Sequence, residues 1–234
     1  MADNVVILWD LDGTLLDFEA AEKICIPLCL KKQGASLDKL DFERYKVINR
    51  GYWKALELGE ITKEELYPGR FRDWFIEMGY ENLDPVKMNE DYQIALGDNP
   101  VFVEGAMETL RLLREKGYRQ YIVTNGSFVA QDGKLKKSGI IDVVDGVFVS
   151  EVIGTPKPQK EFFDYCEKHI EGYDCDRTVI IGDSLSSDIA GGNNAGIKTI
   201  WFNPDGREKK RNVEITEQVD ALKHIPALLG KIFN

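Results

Sequence analysis

The sequence predicts an α/β fold, a doubly wound parallel sheet core with an inserted all-α domain, and three observations carry that expectation. Short apolar strands alternate with helical patterns through residues 106–202, the arrangement of parallel strands joined by crossover helices. The first strand stands apart from the others, separated by residues 18–96, which have helical periodicity and no strand pattern. Polar clusters rich in Asp, Asn, Thr and Gly sit at the predicted strand ends.

Residues 5–11 are a nearly continuous apolar run with β-branched members that ends in Asp-Leu-Asp-Gly, a buried strand meeting a turn. The next strands are expected at Arg119–Thr124 (RQYIVT), Gly146–Val149, Thr178–Gly182 (TVIIG) and Lys198–Phe202 (KTIWF), each bounded by Gly, Asn or Asp. Helices are expected between them at 106–116, 130–138, 159–169 and 187–195. In the interval after the first strand, 38–58 and 62–78 are the clearest amphipathic helices, with breaks near Gly34, 59–62, Gly79 and Asp84-Pro85. The second opens on Thr62-Lys63-Glu64-Glu65, a capping-box spacing. The expected division is therefore 1–16 with 99–234 as the α/β core and 17–98 as a helical cap, the crossings lying near 15–17 and 98–104.

Composition narrows the function. Apolar residues at 43% and charged residues at 30% describe an ordinary globular protein, and no apolar run approaches the roughly 20 residues needed to span a bilayer. Met1 leads almost directly into the first strand without a basic start and apolar signal core, so the expected location is the cytoplasm. A formal charge of −10 argues against nucleic-acid polymers and anionic membranes as partners. An anionic small molecule then requires a locally positive site, built from a divalent cation, a lysine and backbone N–H groups. The four cysteines, Cys25, Cys29, Cys166 and Cys175, are too few and too irregular for a disulfide scaffold, and Cys25 and Cys29 are expected to pack as reduced core thiols.

In an open parallel sheet, ligands bind beyond the C-terminal ends of the strands. Asp10, Asp12, Gly13 and Thr14 follow the first strand; Thr124, Asn125 and Gly126 the second; Lys157 comes after the third; Asp183 and Asp188 follow the fourth. Asp10 at a strand tip could supply an ionised oxygen as a nucleophile, and an acid closing an apolar strand is costly without a partner. Asp12, two residues on, falls on the same side of the chain and suits proton transfer to and from the reacting oxygens. Close carboxylates repel unless a cation lies between them, and Mg²⁺ prefers hard oxygen ligands, which makes Asp10, Asp183, Asp188 and the backbone carbonyl of Asp12 a candidate metal set. Lys157 would balance the charge of the nucleophile and of an anionic group held beside it, and Thr124 and Asn125 are candidates to bind that group's oxygens. Taken singly, each of these residues has a plainer reading as a turn former, helix cap or surface charge; their joint placement favours chemistry.

The segments DLDGT (10–14), VTNG (123–126), TPKP (155–158) and GDSLSSD (182–188) resemble, in order, the four signature motifs of the haloacid dehalogenase superfamily. That resemblance covers the chain outside the cap and implies a Rossmann-like core, Mg²⁺ as cofactor, an aspartyl-phosphate at Asp10 and a cap that selects the leaving group. The stretches 182–204 and LLDFEAAE (15–22) are similar to its pyrimidine 5′-nucleotidase branch, which implies a nucleoside monophosphate, including noncanonical ones, as substrate. Phe18, just past the first motif, is a candidate to stack on a base, whereas Trp53, Phe71 and Trp74 at helical spacing are expected to be packing residues. A sugar-phosphate phosphatase or phosphomutase would use the same core residues, a dehalogenase would not need Asp12, and a noncatalytic scaffold would not need the full set. Either a monomer or a homodimer is compatible with these readings.

Overall fold

The computed structural model describes residues 4–233. In chain order its main elements are β1 (Val6–Trp9), α1 (Phe18–Lys32), α2 (Phe42–Glu57), α3 (Lys63–Met78), α4 (Pro85–Asp98), α5 (Ala106–Glu115), β2 (Arg119–Thr124) and α6 (Phe128–Ser138). They continue with β3 (Gly146–Val149), α7 (Ser150–Ile153), α8 (Lys160–His169), β4 (Thr178–Gly182), α9 (Ala190–Ala195), β5 (Lys198–Phe202), β6 (Glu217–Val219) and α10 (Ile225–Phe233). The chain forms two compact units, Met1–Phe18 with Pro100–Asn234, and Glu19–Asn99.

The first unit is built on one parallel sheet in the order β3-β2-β1-β4-β5-β6. β1 is central, with Leu8 beside Tyr121 of β2 and Ile180 of β4. Its four residues are all buried because both faces of the sheet are covered, which is why the run reads as continuous rather than alternating. Successive side chains still go to opposite faces. Ile7, Trp9, Ile122 and Ile181 pack with Leu110 and Leu113 of α5 and with Leu229 of α10, whereas Val6, Leu8, Val123 and Ile180 pack with Phe162, Phe163 and Cys166 of α8. This is the doubly wound Rossmann-like architecture. Five of the strands follow the apolar runs of the sequence; β6 does not, because its three residues, Glu-Gln-Val, contribute a single buried apolar side chain, Val219. It is a strand by virtue of its pairing with β5.

The second unit contains α2, α3, α4 and most of α1, with no strand among its described residues. The Thr62 hydroxyl accepts from the Glu65 backbone and the Glu65 carboxylate accepts from the Thr62 backbone, completing the capping box that starts α3. Tyr45, Phe71, Trp74 and Tyr92 form its aromatic core, with the Tyr45 and Phe71 rings stacked at 5.4 Å, and Phe71 and Trp74 are fully buried, the packing role expected of them. Buried Arg70 donates to Asn49 and Asn89, and Cys25 and Cys29 are buried cysteines outside any disulfide.

Candidate active site

β1 ends at Trp9, and the backbone of Asp10 still donates to Ile181 of β4 at 2.9 Å, so its side chain leaves from the C-terminal edge of the sheet. The turn that follows closes by a Gly13 to Leu16 hydrogen bond of 2.7 Å. Gly13 has φ +93°, and a Cβ there would lie 2.8 Å from Asp183 Oδ1, so both the backbone conformation and the approach of the acid that follows β4 favour glycine. Residues 15–17 and 101–103 then pair through Val103 to Leu15 and Asp17 to Val101 hydrogen bonds, which aligns the two chain crossings side by side.

Lys157 is the hub of the site. Its ammonium, 1% exposed, donates to Asp10 Oδ1 at 2.8 Å, Asp188 Oδ1 at 2.7 Å and the Val123 carbonyl at 2.7 Å, using all three of its protons. Asn125 holds the Lys157 backbone from both sides: its Oδ1 accepts from Lys157 N–H and its Nδ2 donates to Lys157 C=O, each at 2.8 Å. The side chain of Asn125 is thus committed to the Lys157 loop. Asp188 is brought inward by a single π-helical turn, Leu185–Ile189, and its Oδ2 accepts from Ser184 N–H. Thr14 donates to Asp10 Oδ2, and buried Thr124 accepts from the Gly126 backbone through its hydroxyl.

Asp10, Asp183 and Asp188 each offer a carboxylate oxygen, and these atoms all lie within 4.8 Å of one another. Burial, with the charges of Asp188 and Asp183 added, pushes the Asp10 carboxyl well above its usual range against the pull of Lys157. Asp183 is pushed up to about 6, first by burial and then by Asp188, while Arg207 opposes the shift. Burial works against the Lys157 charge, but Asp10 and Asp188 outweigh it and hold its pKa above the ordinary lysine value. Three carboxylates facing the Lys157 ammonium, with the Arg207 guanidinium 3.3 Å from Asp183, still carry more negative than positive charge in an all-oxygen donor set. That donor chemistry fits a hard divalent cation such as Mg²⁺.

Asp12 is not in this cluster. Its Oδ1 accepts from Lys134 Nζ at 2.6 Å and its Oδ2 from Gln131 Nε2 at 2.7 Å, and the Lys134 ammonium in turn lies 5.2 Å from the centre of the Phe18 ring. Neither Lys134 nor Gln131 stands out in the sequence; the available signal was two polar residues three apart on a helix that directly follows a polar strand end. Arg207, which donates to the Asp183 carbonyl at 2.9 Å and to its Oδ2 at 3.3 Å, comes from the loop after β5, another strand end. Trp201 Nε1 donates to the same carbonyl at 2.9 Å.

A family model for haloacid dehalogenase-like hydrolases matches residues 5–196. The chain is 38% identical to the pyrimidine 5′-nucleotidase PynA of Streptococcus pneumoniae, covering 96% of this chain and 94% of that one. It is 31% identical to the pyrimidine 5′-nucleotidase YjjG of Escherichia coli, covering 96% and 97%. Among solved structures, the magnesium-bound putative hydrolase YfnB of Bacillus subtilis superimposes with a TM-score of 0.89 at 35% identity, over 96% of this chain and 98% of that one.

Proposed function

The chain belongs to the haloacid dehalogenase-like hydrolase family, as a phosphoric monoester hydrolase, and from that premise we propose a magnesium-dependent 5′-nucleotidase acting on nucleoside monophosphates, pyrimidine ones first. One observation supports the chemistry above all: a buried carboxylate at a strand tip, Asp10, is paired with a buried ammonium, Lys157, beside two further acids.

In this reading Asp10 attacks phosphorus, the bond to the ester oxygen breaks, and Asp12 delivers its proton to that departing oxygen, which leaves as a hydroxyl. Asp12 then takes a proton from water as the water attacks the aspartyl-phosphate, and cleavage of the bond to Asp10 releases phosphate. Lys157 offsets charge on Asp10 and on the phosphoryl oxygens, and the Thr124 hydroxyl with neighbouring N–H groups receives those oxygens. Asn125 keeps the Lys157 loop in place. Asp10, Asp183, Asp188 and the carbonyl of Asp12 would hold Mg²⁺, which supplies positive charge to the transferring group. Leaving-group choice falls to Phe18 and to residues of the helical unit acting as a cap, and the two nucleotidase relatives support a nucleoside there.

The test is a panel of nucleoside monophosphates and sugar phosphates with magnesium, scored by phosphate release for the wild-type chain and Asp10→Asn. Pyrimidine nucleotides should be the best substrates, and the variant should lose at least about a thousandfold in kcat. Sugar phosphates turning over far faster than nucleotides would remove the nucleotidase reading; an Asp10→Asn protein as active as wild type would remove the mechanism.

A further inference from the structure

We propose that Lys134 and Gln131 are positioning residues for proton transfer, a clamp on α6 that fixes the Asp12 carboxylate in the orientation from which it protonates the leaving oxygen. The inference rests on the reading of Asp12 as the acid of the reaction.

Four observations carry it. Both oxygens of Asp12 are occupied, one by each residue, at 2.6 and 2.7 Å, and two contacts on different atoms set the plane of a carboxylate where one would leave it free to turn. The clamp is built in the interior: Lys134 is 2% exposed and Gln131 1%, although the Asp12 side chain itself is 21% exposed and accessible to a reactant. Burying a lysine ammonium is costly unless it is paired, so a fold that needed only stability would have put an apolar residue at this position of α6. Gln131 Oε1 is buried without a hydrogen-bond partner, an acceptor left unmatched so that Nε2 reaches Asp12. The backbone also makes room for the amide, since a Cβ at Gly126 would fall 1.7 Å from Gln131 Nε2.

The ring of Phe18 completes the arrangement by covering the Lys134 ammonium at 5.2 Å. Gln131 and Lys134, three residues apart, lie on the same face of α6. The helix starts from a Ser127 cap immediately after the 124–126 turn, so the segment that follows β2 serves the phosphoryl group at its start and the proton-transfer group one turn later.

An acid that is out of place harms poor leaving groups more than good ones, because p-nitrophenolate departs without a proton and phenolate does not. The experiment therefore measures kcat/KM for p-nitrophenyl phosphate and phenyl phosphate with magnesium, in wild type, Lys134→Met, Lys134→Arg, Gln131→Leu and Asp12→Ala. Lys134→Met should lose about 3-fold on the first ester and about 30-fold on the second, inside the range a general acid supplies. Lys134→Arg should recover most of that difference, Gln131→Leu should show a smaller one, and the magnesium-induced rise in Tm should match wild type in the Lys134 and Gln131 variants, since Asp10, Asp12, Asp183 and Asp188 are untouched in them. Equal losses on both esters in Lys134→Met would mean a structural role only and overturn the proposal. Should that variant not fold, an unchanged ester ratio in Gln131→Leu overturns it instead. Asp12→Ala separates the two levels: if it alone changes the ratio, the clamp is wrong and the acid assignment stands; if it does not change the ratio, the acid assignment falls and takes the clamp with it.

Discussion

The Lys157 ammonium meets Asp10 at 2.8 Å across 147 positions of sequence, both groups being almost wholly buried. Such a pair has one physical consequence that is independent of any substrate: neither charge is tolerable there without the other.

Lys157→Met leaves Asp10 and Asp188 buried without their shared cation. The expected cost is about 3 kcal/mol near neutral pH, a fall in Tm of roughly 10 °C for a chain of this size. Because the folded-state pKa of Asp10 is already raised, the folded protein takes up a proton that the unfolded chain releases, and the deficit should narrow as the pH is lowered. Urea denaturation at two pH values measures this; a deficit that grows on acidification would contradict the buried-pair account.

Magnesium should stabilise the protein more at about pH 8 than at about pH 5. Asp183 titrates up to about 6, and Asp10 is raised as well. For an acid whose folded pKa is raised, the metal-free folded state binds more protons than the unfolded chain between the ordinary value near 4 and the raised one. Its stability therefore falls as pH rises through that window. A divalent ion requires the carboxylates as anions and offsets their repulsion only above the window. Thermal melts with and without magnesium at both pH values give the comparison; equal shifts would count against Asp10 and Asp183 as ligands.

Gly13→Ala should weaken magnesium binding about 10-fold or more while adding roughly 1–2 kcal/mol of backbone strain. Its Cβ would fall 2.8 Å from Asp183 Oδ1 at a φ of +93°, so Asp183 must move. Titration calorimetry with magnesium reads the first effect and denaturation the second. Unchanged affinity would show that Asp183 has room to shift without leaving the metal set.

Much of the molecule was legible because local chemistry dictates it. The apolar run through β1 marks a strand covered on both faces, the Thr62–Glu65 spacing starts α3, and polar residues at strand ends stand where a parallel sheet binds ligands. β6 was not legible, since a three-residue edge strand with one buried apolar side chain is defined by its partner and not by its own composition.

The site divides in the same way. Sequence alone determined which acids lie at the C-terminal edge of the sheet, because strand ends dictate that, whereas Lys157, which follows β3 only after α7, was marked by the resemblance of the TPKP segment. Tertiary structure alone decided how they pair: Lys157 between Asp10 and Asp188, Asn125 on the Lys157 backbone, and Asp12 turned toward Gln131 and Lys134, 119 and 122 residues away. Those partners depend on how α6 and the Lys157 loop pack against the sheet, a matter of side-chain volumes and distances across the fold, and no periodicity along the chain encodes it.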